Sequence, residues 1–185
     1  MLRPTASQLG FTLIELMMTL ALSALLTVIA LPGFGSLLAK TRTQTTWQDL
    51  AATFNTARLA AVSHAMHVVI CPSSDQASCS DGELWQQGWI AFVDANRDRE
   101  ADANEERLDV SQNAPQGTAI VGSSARARIV YQPDGSARGS NVTLTLCNRG
   151  ARANDARTLV IGPSGRIRSG NASAENAARC LSAAG

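Results

Sequence analysis

The amino-acid sequence predicts an α+β fold in which one long N-terminal helix is laid on an antiparallel β-sheet. Three observations carry that expectation. From Phe11 to Leu31 only Glu15 is charged, and a run of about twenty apolar residues is long enough to cross a bilayer as a helix. Leu37, Leu38, Trp47, Leu50, Phe54, Ala57, Ala61 and Ala65 then mark one side of a continuing helical repeat, as far as about Met66. From His67 onward, short apolar runs alternate with Gly, Pro, Asp and Ser turns, the pattern of closely spaced strands.

Residues 1–10 read as a short polar leader with a single arginine, Arg3. A secretory signal peptide would carry an apolar core of about 7 to 15 residues before a small-residue cleavage site, and the core here is longer. Residues 11–31 read as a transmembrane helix and 32–66 as its amphipathic continuation, with a kink or local melting at Pro32-Gly33. The continuation has few basic residues on its polar side, so its apolar stripe is expected to pack on a sheet rather than on a membrane.

Residues 67–185 read as a β-rich head with an Arg-rich tail. Strands are expected at His67 to Cys71, Trp85 to Val93, Arg107 to Val110, Ala127 to Gln132, Val142 to Cys147 and Thr158 to Ile161. Pro133-Asp134-Gly135 and Gly162-Pro163-Ser164-Gly165 are the clearest turn signals between them. In the second strand Trp89, Ala91 and Val93 alternate with Ile90 and Phe92, so both of its faces should be covered. Without leader and apolar run about 150 residues remain, enough for one core.

Charge is distributed unevenly. Net charge is +1, yet between Asp75 and Val110 ten acids face three bases, and from Val121 to the end nine arginines face three acids. The C-terminal half is therefore a candidate surface for a polyanion. Cys71, Cys79, Cys147 and Cys180 make an even count in a head that a single N-terminal helix would place outside the cytoplasm, where disulfides persist. Three pairings are possible. The favoured one closes a short polar loop with Cys71–Cys79 and staples the tail to a strand with Cys147–Cys180.

A membrane anchor alone gives no reason for Gly-Phe at the polar/apolar boundary or for an acid five residues into the apolar run. A carboxylate there needs a partner. Gly10-Phe11-Thr12-Leu13-Ile14-Glu15 resembles the processing site of type IV prepilins and type II secretion pseudopilins. The resemblance implies cleavage after Gly10 by a prepilin peptidase, N-methylation of Phe11, and pairing of Glu15 with the terminal amine of a neighbouring subunit in a filament. It further implies the type IV pilin fold and partnership with other major and minor pilins. The protein would sit in the bacterial inner membrane as a single-pass protein with its head in the periplasm, then in a cell-surface pilus.

The segment Trp89 to Asp98, an aromatic-rich strand entering an Asp-x-Asn-x-Asp turn, is similar to the GspH/FimT branch of that superfamily. Asp94, Asn96, Asp98, Glu100, Asp102 and Glu105 also fall at the ligand spacing of a calcium loop. Arg99 stands where such a loop needs Gly and no helix precedes it, so a solvated hairpin turn is the preferred reading. No metal is expected at His64 and His67, and no cofactor. No nucleophile, base and orienting group assemble, so the protein is not expected to be an enzyme.

The arginines remain. Arg149, Arg152 and Arg157 follow a strand; Arg166, Arg168 and Arg179 lie in the tail. Arg166 and Arg168 would point to one side of an extended segment, and small neighbours such as Gly165 would let a phosphate backbone approach. Gly165-Arg166-Ile167-Arg168 is similar to the GRxR signature of FimT-like minor pilins, which bind DNA in natural transformation. The resemblance implies sequence-independent binding of double-stranded DNA. The rival expectation is a structural minor pilin or GspH-like pseudopilin that primes filament assembly and never touches DNA.

Overall fold

The computed structural model describes residues 10–123 and 126–185, with the backbone alone at 29–34, 36 and 39. Two compact units are present, Met1–Ala39 and Lys40–Gly185. Helix α1, Leu13–His64, contributes to both. The division falls inside the helix because its second half belongs to the core of the head.

In the first unit Thr12 begins the helix, its hydroxyl accepting the Glu15 N–H at 3.3 Å. Leu13, Ile14, Leu16, Met17, Met18 and Leu20 are all exposed, so apolar side chains cover every side of this segment. Among the described residues no helix is long and apolar enough to cross a membrane. The span read from Phe11 to Leu31 runs past Val28, where the first stretch of described side chains stops. The helical backbone continues through Pro32-Gly33, so the local melting expected there does not occur. Good helix formers on both sides, Ala30 and Leu31 before and Leu37 to Ala39 after, carry the helix past the missing donor.

The second unit holds two four-stranded antiparallel sheets. The first is ordered β3-β2-β1-β5, from β1 (His67–Pro72), β2 (Trp89–Asp94), β3 (Arg107–Ser111) and β5 (Ile129–Tyr131). The second is ordered β4-β6-β7-β8, from β4 (Thr118–Gly122), β6 (Val142–Asn148), β7 (Arg157–Ile161) and β8 (Ile167–Asn171). Helix α2 (Ala174–Ala183) closes the chain, started by the Ser173 hydroxyl, which accepts the Asn176 N–H.

Leu50, Phe54, Ala57 and Ala61 of α1, four positions of the expected stripe, are fully buried. They share one core with Val68, Ile70, Trp89 and Ala91 of the first sheet and Ile120, Leu144, Leu159 and Ile161 of the second. Phe54 sits between Trp85 (ring centroids 6.2 Å) and Tyr131 (6.5 Å, edge-on), which joins helix and sheets through aromatic contacts. The Trp89 indole N–H donates to the Thr53 hydroxyl at 3.0 Å.

Strand β2 is buried along its whole length. Its second face, Ile90 and Phe92, packs with Val69, Cys71 and Val130 and is covered by Cys79 and Ala101. The expected strand at Trp85 begins only at Trp89. Trp85 is instead a core residue of an irregular stretch whose neighbour Leu84 bridges to Val121. Among the described residues four elements lie outside the sequence-based expectation: β4, β8, α2 and a 3-10 turn at Ala153–Asp155. Disulfides join Cys71 to Cys79 and Cys147 to Cys180.

Candidate functional site

The arginines of the tail are positioned by the β7–β8 hairpin. Pro163 presets the turn, the Gly165 N–H donates to the Gly162 carbonyl at 2.9 Å, and the Gly162 N–H donates to the Arg166 carbonyl at 3.2 Å. Ile167 packs against the core, so alternation sends Arg166 and Arg168 to the opposite face of the sheet. Arg168 lies beside Val160 on the edge strand. Both arginines are exposed, and among the described residues neither guanidinium group has a hydrogen-bond or ion-pair partner.

On that outer face α2 covers Ala119 and Val121 of β4 and Cys147 of β6. At the edge of the sheet, Arg168 to Asn171 of β8 stay exposed. The helix lies over the β4–β6 part of this face, and the two unpaired guanidinium groups lie at its β8 edge.

The remaining tail arginines do not join this pair. Arg179 forms an ion pair with Glu83. Arg149 donates to the carbonyls of Ala184 and Gly185, at 2.9 and 3.1 Å, and so holds the end of the chain. Arg157 donates to Asn171. Arg152 is exposed beside the 3-10 turn Ala153–Asp155. Arg157 is four residues from Ile161 along β7, about 13 Å from the end that carries Arg166. Arg157 therefore lies at the opposite end of the hairpin from Arg166, while Arg149, Arg152 and Arg179 belong to other segments.

Gly165 has a different role from the one its neighbourhood suggested. It is buried, with φ of 74°, and a Cβ there would stand 2.0 Å from the Gly135 carbonyl oxygen and 3.0 Å from the Tyr131 ring. Its hydrogen lets two turns touch; it does not open a surface for a ligand. The Ala137 N–H donates to the Pro163 carbonyl at 3.0 Å, and the Tyr131 hydroxyl donates to the Gly165 carbonyl at 3.3 Å, locking the same contact. Burial pushes the Tyr131 phenol well above its usual range, so the donor stays protonated.

Two further arginines, which no sequence pattern selects, come to this corner. Arg58 of α1 donates from Nε to the Gly135 carbonyl at 2.9 Å. Arg138, one residue from the inter-turn bond, is exposed and paired with Asp134. Hydrogen bonds from Ser136, and then from Arg138, lower the Asp134 carboxyl to about 2. No spacing rule links positions 58, 138 and 166; only the fold does.

At the other end of the chain Phe11 and Glu15 are exposed. Among the described residues no side chain pairs with the Glu15 carboxylate.

A long N-terminal helix packed on antiparallel sheets, behind a Gly-Phe boundary with an acid five residues on, defines the type IV pilin class of fold. Residues 5–31 match the prokaryotic N-terminal methylation motif, and residues 46–165 match the family described as type II transport protein GspH. That second match covers more than half of the sequence, and the chain belongs to the GspH family of minor pilins and pseudopilins. It ends at Gly165, so Arg166, Arg168 and α2 lie beyond it.

The fold is similar to the type IV minor pilin FimU of Pseudomonas aeruginosa. One crystal form aligns with a TM-score of 0.56 and 19% identity over 73% of this chain and 91% of that one. A second form gives 0.53 and 21%, over 69% and 91%. No curated protein sequence matches the chain.

Proposed function

We propose that this minor pilin is FimT-like: an inner-membrane prepilin cut after Gly10, methylated at Phe11 and built into a pilus, where it holds double-stranded DNA for uptake. The observation that carries the DNA reading is the pair Arg166 and Arg168, both exposed and their guanidinium groups unpaired among the described residues, at the exposed edge strand β8. Arginines elsewhere in the tail are engaged by Glu83, Asn171 and the C-terminal carbonyls. Two guanidinium groups on one side of a strand suit bidentate contacts to phosphates, which carry no sequence information. Arg152 is a secondary contact, and Arg138 extends the basic corner from the neighbouring turn. Glu15, exposed in an apolar surface, is left to pair with the terminal amine of the next subunit.

The test is DNA binding by residues 40–185 across a salt series. Wild type should bind duplexes of unrelated sequence equally, with affinity falling steeply as salt rises. Arg166→Gln/Arg168→Gln should bind about tenfold more weakly at low salt, with a log-log salt slope smaller by about 2, one unit for each phosphate contact removed. Absence of binding by folded wild-type protein at low salt would remove the DNA reading and leave a structural, GspH-like subunit that primes assembly.

A further inference from the structure

Away from the tail, a second group of arginines meets at one end of the first sheet, where β1 starts and β2 stops. His67 and Asp94 pair there across the two strands. With Arg97, Arg99, Arg138 and Ser140 they line a cavity of about 220 Å³. Drug-sized ligands occupy about 300 Å³ or more, so this cavity suits a small one. Three guanidinium groups against one carboxylate select for an anion.

The acids of the β2–β3 loop do not use these arginines. Glu100 pairs with Arg128 at 2.7 Å, Asp98 and Asp102 accept from the Asn96 amide at 2.8 and 3.0 Å, and Glu105 accepts the Ala95 N–H at 2.8 Å. Among the described residues no hydrogen bond or ion pair engages the guanidinium group of Arg97 or Arg99, or the His67 imidazole. Both arginines adopt φ of 65°, a left-handed conformation uncommon outside glycine. In that conformation their backbone amides donate to the Asp94 carboxyl, which fixes the turn that carries the two guanidinium groups to the cavity wall. Arg138 is held by Asp134 and by the Ser136 hydroxyl, at 3.1 Å from Nε. Even with Asp134 offsetting Arg138, two guanidinium groups stay unneutralised beside one buried carboxylate.

Asp94 is 2% exposed and takes no bond from any side chain among the described residues. An anion in this cavity therefore has to accept from guanidinium groups and also offer a proton to Asp94; otherwise two negative oxygens face each other in a partly dry site. Hydrogen phosphate does both. Sulfate and a phosphodiester carry no proton near neutral pH and do only the first. We propose that the cavity between His67, Asp94, Arg97, Arg99 and Arg138 binds inorganic phosphate, its charged oxygens taking guanidinium N–H groups and its P–OH donating to Asp94. The site uses neither Arg166 nor Arg168 and stands apart from the DNA reading.

The full chain in detergent micelles, titrated with sodium phosphate in a calorimeter at about pH 8, well above the carboxylate range, tests the proposal. Saturable binding of one phosphate is expected with Kd of about 1 mM or tighter. Sulfate should bind at least about tenfold more weakly, because Asp94 then meets an oxygen with no proton to share. Arg97→Gln/Arg99→Gln should keep the wild-type circular dichroism and lose at least about tenfold in phosphate affinity. Arg166→Gln/Arg168→Gln should bind phosphate as the wild type does, and a DNA duplex without terminal phosphates should not displace it. No saturable heat up to about 20 mM phosphate in folded wild-type protein overturns the proposal. Equal affinity for sulfate, unchanged binding by Arg97→Gln/Arg99→Gln, loss of binding in Arg166→Gln/Arg168→Gln, or displacement by the duplex overturns it as well.

Discussion

Gly165→Ala should lower the stability of the head by about 3–5 kcal/mol, a large part of the roughly 5–15 kcal/mol that holds a typical domain together. Two physical effects combine. A non-glycine residue at φ of 74° costs about 1–2 kcal/mol in the left-handed region. Steric collision costs more, because the new methyl group would stand 2.0 Å from the Gly135 carbonyl oxygen, a backbone atom that cannot rotate away. Relief requires the β7–β8 turn to lift from the β5–β6 turn. That movement stretches the Ala137 to Pro163 hydrogen bond and takes the Gly165 carbonyl from the buried Tyr131 hydroxyl.

Gly162→Ala, three residues away, is the control. Its Cβ meets nothing within 4 Å and its backbone needs no positive φ, so a change within about 0.5 kcal/mol is expected. Urea unfolding of residues 40–185 separates the two through the midpoint at unchanged m. Equal midpoints would sink the packing account of Gly165. The same contact fixes where Arg166 emerges, so the destabilised variant should also lose part of its DNA affinity.

The parts of this fold that could be read from the sequence are those in which apolar periodicity and burial coincide. The stripe through Leu50, Phe54, Ala57 and Ala61 has one solution, and the alternating apolar residues of β2 mark a strand covered on both faces. Strand β4 is wholly buried, yet Thr118 to Gly122 is five residues without alternation, next to Gly117, and reads as a loop. In β8 only Ile167 touches the core, so Arg168 to Asn171 are strand because β7 pairs with them. The partners of the arginines are equally hidden. Glu83 and Arg179 are 96 residues apart, and whether a guanidinium is free depends on such distant contacts. A short motif can select Arg166 and Arg168, but only the fold distinguishes them from Arg149 and Arg179.

Replacing Cys147 and Cys180 by Ala should cost about 4 kcal/mol and release the end of the chain. The bond closes a loop with a sequence separation of 33, for which restriction of the unfolded chain contributes about 4 kcal/mol in the chain-entropy account. The Cys71–Cys79 bond spans only 8, for which the same account gives about 2.5 kcal/mol. The difference should be larger in practice because the two bonds hold different things. Helix α2 has ten residues, too few to persist alone, and its buried side chains are only Ala177 and Cys180. Ala184 and the partly buried Leu181 and Ala183 add further contacts. This apolar area is small, so the sulfur bridge is expected to be the main tether of the helix, aided by the Arg179–Glu83 pair and the Arg149 bonds to the last carbonyls. Hydrogen exchange on residues 40–185 reads this directly. Without the Cys147–Cys180 bond, amides of residues 174–183 should exchange fast while β1 and β2 stay protected. Without Cys71–Cys79, α2 should remain protected. If α2 keeps its protection after the first replacement, the disulfide is not its tether, and packing of Ala177, Leu181, Ala183 and Ala184 holds the helix instead.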